Sequence, residues 1–234
     1  MKRFFDNLYK RSHKEFIALL EDKLSKEERC FVITANPETF ISGKNDPSFA
    51  EMLLDDETQM VADGIGIIMG AKKLGINIPE RIPGVEIAEE ILNIANEKEL
   101  SVYLFGATEE VIDTVCAKLK TELPGLRIAG AQNGYAEDKD AVFEEIKTLS
   151  PDIVLVALGV PAQEKLIWRH IKDFHKGVFI GVGGSFDVLS GVKARAPEFF
   201  IKCNLEWLYR IAKEPKRIKR FYNNNIKFLF SLKK

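Results

Sequence analysis

Short, uniformly apolar runs alternate along this chain with segments whose apolar positions recur every three or four residues. The runs at 30–34, 59–62, 101–105, 127–131, 153–158 and 178–182 read as strands. The segments 47–54, 66–74, 84–98, 109–123, 139–149 and 162–173 read as helices. In 84–98 the apolar positions Val85, Ile87, Ala88, Ile91, Leu92 and Ala95 mark one helical stripe. Most of the strand runs are apolar at successive positions, which is the pattern of strands buried on both faces by crossover helices. The expected fold is therefore α/β: a Rossmann-like parallel sheet with helices on both faces. Right-handed crossovers bring the strand-end loops to one rim of such a sheet, where ligands bind. Beyond Pro197 the pattern turns helical, with Pro215 opening a last helix. This divides the chain into an α/β domain, 1–194, and a C-terminal helical appendage, 195–234.

Charge sharpens that division. The 234 residues carry a net charge of −1, yet residues 193–234 hold twelve Lys/Arg against three Asp/Glu. An acidic body thus bears a cationic, aromatic tail, as expected for a polyanionic partner such as a diphosphate or an anionic lipid surface. The longest apolar run, 153–160, is far short of the roughly 18 residues that cross a bilayer. The first residues, Met1-Lys-Arg-Phe-Phe-Asp, lack the apolar stretch of a secretory signal, so a cytoplasmic location is expected. Cys30, Cys116 and Cys203 are too dispersed for a zinc site or a disulfide framework. His13, His170 and His175 form no metal-binding spacing, and His170 and His175 read as surface positions on one helix.

Candidate chemistry gathers at the predicted strand ends. After the first strand comes Thr34-Ala35-Asn36-Pro37-Glu38, where Asn36 suits a helix cap, Pro37 the first helical position, and the exposed N–H groups an anion. After the second comes Ala62-Asp63-Gly64: either a common Asp-Gly turn, or a general base beside glycine that lets a substrate come close. Gln163, in the first turn of a helix after Leu158-Gly159-Val160-Pro161, can donate to a sugar hydroxyl or a base carbonyl. Gly181-Val182-Gly183-Gly184 implies a tight bend or close backbone approach to a ligand. Phe105-Gly106-Ala107-Thr108 is a weaker phosphate candidate, with Thr108 as a cap, and Asn133-Gly134-Tyr135 reads as a turn. Asp138-Lys139-Asp140 has the form of a metal-binding DxD, but it opens a charged helix and reads better as a cap. Arg210, Arg217 and Arg220 lie seven and three residues apart, a spacing that shares a helix face unless Pro215 breaks the phase. Guanidinium groups there suit a leaving diphosphate.

In this order, the segments resemble the WecG/TagA/CpsF glycosyltransferase family over nearly the whole chain. The motifs that carry the likeness are Thr34-Ala-Asn36-Pro37-Glu38, Ala62-Asp63-Gly64, Arg81-Ile-Pro-Gly84, Phe105-Gly106, Leu158 to Glu164, Gly183-Gly184-Ser-Phe186-Asp187, Arg195-Ala-Pro197 and Glu206-Trp207 through Arg220. Ala162 stands where a larger, often basic residue is expected. The resemblance implies an inverting, metal-independent transferase without a cofactor. Its donor is a UDP-sugar and its acceptor an undecaprenyl-diphosphate-linked sugar at the inner face of the cytoplasmic membrane. The best-known members move N-acetylmannosamine or its uronic acid in wall teichoic acid or surface polysaccharide synthesis. On that footing Asp63 is the catalytic base. Thr34, Asn36, Arg81, Gln163, Gly183 and Gly184 contact substrate, with Arg81 an anion contact or an anchor for Asp63, while Arg210, Arg217 and Arg220 bind the diphosphate. The tail completes the site and meets the membrane. Among its aromatics, Trp207 and Tyr209 are expected to pack on the domain and Phe228 and Phe230 to contact membrane or acceptor. Homo-oligomerisation is compatible with the sequence. A Rossmann-like nicotinamide oxidoreductase lacks its GxGxxG fingerprint here. A nucleic-acid-binding protein fits the tail but not the acidic body, so no nucleic-acid partner is expected.

Overall fold

The six apolar runs become the six strands of one parallel sheet in a computed structural model that describes residues 1–197, 199–200, 206–213, 218 and 222–232. The strands are β1 (Arg29–Ala35), β2 (Thr58–Ala62), β3 (Ser101–Gly106), β4 (Arg127–Gln132), β5 (Ile153–Ala157) and β6 (Gly177–Gly181), in the spatial order β2-β1-β6-β5-β3-β4. The registers pair Ile33 with Met60 and Gly181, and Val156 with Phe105 and Gly181, which aligns the carboxyl ends of the central strands.

Because β1 and β6 are central, both of their faces need cover. Helices α1 (Lys2–Asp6), α3 (Pro37–Asn45), α4 (Pro47–Leu54), α5 (Ile65–Lys73), α8 (Lys139–Leu149) and α9 (Ala162–His170) cover one face, over Phe31, Ile33, Val154 and Phe179. Helices α2 (His13–Ser25), α6 (Gly84–Glu97), α7 (Glu109–Glu122) and α10 (Ser185–Leu189) cover the other, over Val32, Leu104, Leu155 and Ile180. The loops that follow β1 and β6 leave toward opposite faces, to α3 and α10. Adjacent strands whose exits diverge in this way open a crevice at the carboxyl rim. The expected fold class is the one observed.

Local differences have physical causes. Helices α1 and α2 were not expected, yet α2 carries Phe16, Ile17, Leu20 and Leu24 on its buried side and opens with a Ser12–Glu15 capping box. The 162–173 helix tightens into a 3-10 turn at Ile171–Asp173. β4 is an outer strand and keeps partly exposed positions throughout. The outer side of β2 is covered where Tyr9 N donates to Met60 O at 2.8 Å. His170 is not an open surface residue: its ring stacks on Phe143, with centroids 4.9 Å apart, and meets Asp140.

One expectation for the tail is corrected. Phe228 does not face a membrane or an acceptor. It is 1% exposed, and its ring lies 6.2 Å from those of both Phe5 and Phe40, while Leu232 is buried beside the same cluster. Burying a phenylalanine stabilises by about 1.5–3 kcal/mol, so the short helix Lys227–Ser231 is pinned to the body by its apolar side. Phe230, by contrast, is 81% exposed. Tyr209 is partly buried with its ring 5.5 Å from that of Phe200. The side chain of Trp207 lies outside the described residues.

Candidate functional site

The carboxyl rim assembles around the end of β1. Asn36 takes extended backbone angles, and its side-chain oxygen accepts from the N–H groups of Glu38 at 2.8 Å and Thr39 at 3.2 Å. Thr39 Oγ1 accepts from Asn36 N in return, and Pro37 fills the first helical position. The cap anticipated from sequence is therefore built, and it uses the carbonyl side of the Asn36 carboxamide. Asp63 N and Gly64 N both donate to Ala35 O, at 3.0 and 3.3 Å. The Asp63 turn is thereby sewn to the Asn36-Pro37 corner so closely that a Cβ on Gly64 would stand 3.1 Å from Pro37. Ile82 N donates to Ala62 O at 2.9 Å, which carries Arg81 to the same rim. Thr34 is buried, and its hydroxyl donates to Gly181 O at 2.9 Å, so in this structure it ties β1 to β6.

A second group centres on Gln163, 1% exposed at the start of α9. Its oxygen accepts from Gly159 N at 3.0 Å and Gly183 N at 3.1 Å, and its nitrogen donates to Glu164 Oε1 at 2.7 Å. Gln163 thus joins the loops that follow β5 and β6 through its oxygen, while its nitrogen bonds to Glu164. Glu164 is fully buried and its Oε2 has no hydrogen-bond partner among the described residues. Burial pushes its carboxyl up to about 7; the bonds from Gln163 and from backbone offset this only in part, and Glu38 on α3 adds to the rise.

The glycines of the rim divide by what they face. Gly159 (φ +78°) and Gly183 (φ +52°) adopt left-handed backbone, and a Cβ at either would meet none of the described residues within 4 Å. At Gly184 it would meet, among the described residues, only Asp187, at 3.8 Å. These positions border open space, as backbone that a ligand approaches must. Gly106 is the opposite case: a Cβ there would lie 2.4 Å from Ala157 O. The Phe105-Gly106 turn is therefore closed by protein, and Thr108 caps α7 by accepting from Val111 N. Asn133 likewise makes a turn, accepting from Tyr135 N at 2.8 Å.

The tail returns to this rim. Arg81 meets Glu206 at 3.5 Å, with both side chains largely buried, so its charge is directed at the helix Glu206–Lys213. The turn Tyr222–Ile226 packs against α3 and α5, and a Cβ on Gly66 would lie 2.5 Å from Asn225 Oδ1. Asn225 is thus held three residues along from Asp63. Arg210 is on the helix Glu206–Lys213, with its side chain outside the described residues, where Arg217 and Arg220 also lie.

The structure brings Thr34, Asn36, Asp63, Arg81, Gln163, Gly183 and Gly184 to one rim. Sequence reasoning gave no role to Glu164, Glu206 or Asn225. The first two stand inside quoted motifs, but nothing in a sequence separates a buried glutamate from a solvated one. The DxD motif serves elsewhere: Asp138 caps α8 by accepting from Ala141 N at 2.9 Å, and Asp140 pairs with Arg169 at 2.6 Å and with His170. A half-buried carboxylate beside a helix N-terminus, on the same sheet rim as the open glycines, is equipped to take a proton from a hydroxyl while an anionic group is held nearby.

Comparison with known proteins matches nearly the whole chain to one family. Residues 4–234 match the model of the "Glycosyl transferase WecG/TagA/CpsF family". A Bacillus subtilis protein named N-acetylglucosaminyldiphosphoundecaprenol N-acetyl-beta-D-mannosaminyltransferase is 39% identical over 206 residues, 88% of this chain and 80% of its own length. Identically named proteins of Bacillus spizizenii and Staphylococcus aureus strain MW2 are 38% and 37% identical, covering 88% and 87% of this chain and 80% of their own lengths.

Proposed function

This chain belongs to the WecG/TagA/CpsF family and is a glycosyltransferase, and we propose that it moves N-acetylmannosamine from a UDP-sugar to an undecaprenyl-diphosphate-linked N-acetylglucosamine, with inversion and without a metal. The relatives' names supply the sugar and the acceptor. The observation that carries the mechanism is the position of Asp63, fixed against the Asn36-Pro37 corner at a rim where Gly159, Gly183 and Gly184 leave space.

In this reading Asp63 accepts the proton of the acceptor hydroxyl as that oxygen attacks the anomeric carbon. The bond to UDP breaks on the opposite face, which inverts the centre. Asn36 offers its carboxamide nitrogen, which has no bond among the described residues, and the α3 N-terminus supplies N–H dipoles toward an anion. Thr34 and Gln163 set the spacing of the strand ends. Arg81 orders the helix that bears Arg210, and Arg210, Arg217 and Arg220 offset the diphosphate charge. Metal independence is favoured by the commitment of both DxD carboxylates to a cap and to ion pairs.

The acceptor's lipid places the reaction at a membrane surface. No helix among the described residues is long and apolar enough to span a bilayer. The exposed Phe199, Ile218, Tyr222 and Phe230 of the basic tail support contact with the inner membrane face instead. A panel of UDP-sugars with a short-chain lipid-diphosphate acceptor tests the reading through acceptor-dependent release of UDP. Release from UDP-N-acetylmannosamine, unchanged by a chelator, is expected; release that stops with chelator and returns with manganese contradicts metal independence. Flotation on anionic liposomes with and without residues 195–234 tests the membrane role, and equal binding by both forms would remove it.

A further inference from the structure

Glu164 has surroundings that the transfer chemistry above does not account for. It is 0% exposed, and among the described residues no cation lies against it and its buried Oε2 has no hydrogen-bond partner. Besides a bond from backbone, its carboxyl accepts the 2.7 Å bond from Gln163 Nε2. The bond from Gln163 decides how the Gln163 carboxamide lies. The two backbone N–H groups of Gly159 and Gly183 need the oxygen side, so the NH2 side must point away, and Glu164 Oε1 receives it. A Cβ on Gly181 would stand 2.6 Å from Gln163 Nε2 and 3.2 Å from Glu164 Oε1, which leaves this pair little freedom to shift.

We propose that Glu164 is a positioning residue for sugar transfer, fixing the Gln163 carboxamide so that it holds the Gly159 and Gly183 loops in register beside Asp63. The inference rests on the transferase reading. It has a consequence in pH. The carboxyl, raised to about 7, is neutral in mildly acidic solution and becomes a buried anion above neutrality. The charged group that faces it is Glu38 of α3, which opposes that anion. At the adjoining ends of β1 and β6 stand Thr34, Ala35, Ile180 and Gly181, none of which titrates. Lys165 on α9 is taken by Asp46, and Asp140 of α8 by Arg169 and His170. Ionising Glu164 therefore puts a buried, desolvated anion opposite Glu38 and beneath the Gln163 bridge, with no cation against it among the described residues, and turnover falls as pH rises through neutrality.

Three proteins decide this: the wild-type chain, Glu164→Gln and Glu164→Ala, each assayed for UDP release from pH 5.5 to 8.5 and melted at the same pH values. Glutamine keeps an acceptor for Gln163 and cannot ionise, so E164Q should keep kcat at acidic pH and lose the alkaline decline. E164A leaves Gln163 Nε2 unpaired and should lose kcat by about 10-fold or more at every pH, with a smaller change in KM. An alkaline decline that survives unchanged in E164Q overturns the proposal, as does wild-type kcat in a folded E164A. No release by the wild-type chain at any pH refutes the transferase reading and the catalytic part of this proposal with it. In the melts, E164Q should lose the wild type's fall in Tm between pH 5.5 and 8; an unaltered fall would overturn the role of Glu164 even where turnover is normal.

Discussion

Two largely buried carboxylates stand at opposite rims of the same sheet, in opposite surroundings. At the amino rim, Asp152 accepts from Ser101 N at 2.8 Å, from Ser101 Oγ at 2.6 Å and from Lys176 Nζ at 2.8 Å. Burial opposes its charge, but Lys176 and the two Ser101 bonds outweigh it and hold the carboxyl below its usual range. At the carboxyl rim, Glu164 has the Gln163 amide and a backbone bond but, among the described residues, no cation and no partner for Oε2, and its carboxyl is raised. Asp152 ties together the starts of β3, β5 and β6 as any structural carboxylate would. Glu164 sits at the rim where the strands end, the glycine loops open and the Asp63 turn lies. An imperfectly satisfied group persists in a folded protein when the surrounding structure over-determines it, and such groups cluster at functional sites.

The contrast breaks most directly at Gln163. Removing its carboxamide in Gln163→Ala frees both glycine loops, and misplacement on that scale costs about 10²-fold in turnover. Steady-state UDP release should show that loss mainly in kcat; an unchanged kcat would mean the loops need no bridge. The amino rim should answer in a different currency. Asp152→Asn should cost about 1.5–3 kcal/mol of stability, the scale of hydrogen bonds to a charged group, measured by denaturant unfolding, and leave kcat intact. A drop in kcat without destabilisation would erase the distinction between the rims.

The finest test is the sign of the pH dependence. Asp152 has a lowered pKa in the folded chain, so its contribution is present above its unfolded value and lost as pH falls through the folded one. Glu164 has a raised pKa, so the folded state holds its proton more tightly than the unfolded chain. Stability therefore falls as pH rises from the unfolded value of 4.5 through about 7. Melting curves should lose the acid-side decline in D152N and the neutral-side decline in E164Q. Loss of the same limb in both variants would contradict the comparison.

The sheet was legible because its central strands are buried on both faces and therefore apolar at nearly every position, as in 153–157 and 178–181. The Asn36-Pro37 corner was legible too, since an asparagine cap followed by proline states a helix start chemically. Helix α2 carries a signal in its sequence, a capping box ahead of Phe16, Ile17, Leu20 and Leu24, but the charged residues among them blur its apolar stripe. Phe228 was not readable. An aromatic in a short basic segment gives the same pattern whether it faces lipid or packs on Phe5 and Phe40, and only the tertiary fold decides. Gln163 and Glu164 were half readable. Their motif marked the rim, but whether an amide points at a ligand or at two backbone N–H groups depends on loops far apart in sequence.

The claim on which the rest depends is that Asp63 takes the proton of the attacking hydroxyl. Acceptor-dependent UDP release by the wild-type chain and by Asp63→Asn, on the same UDP-N-acetylmannosamine and lipid-diphosphate acceptor, tests it most directly. A loss of about 10²–10⁴-fold in turnover, with an unchanged melting temperature, is the predicted result. Near-normal transfer by the folded asparagine variant would contradict it.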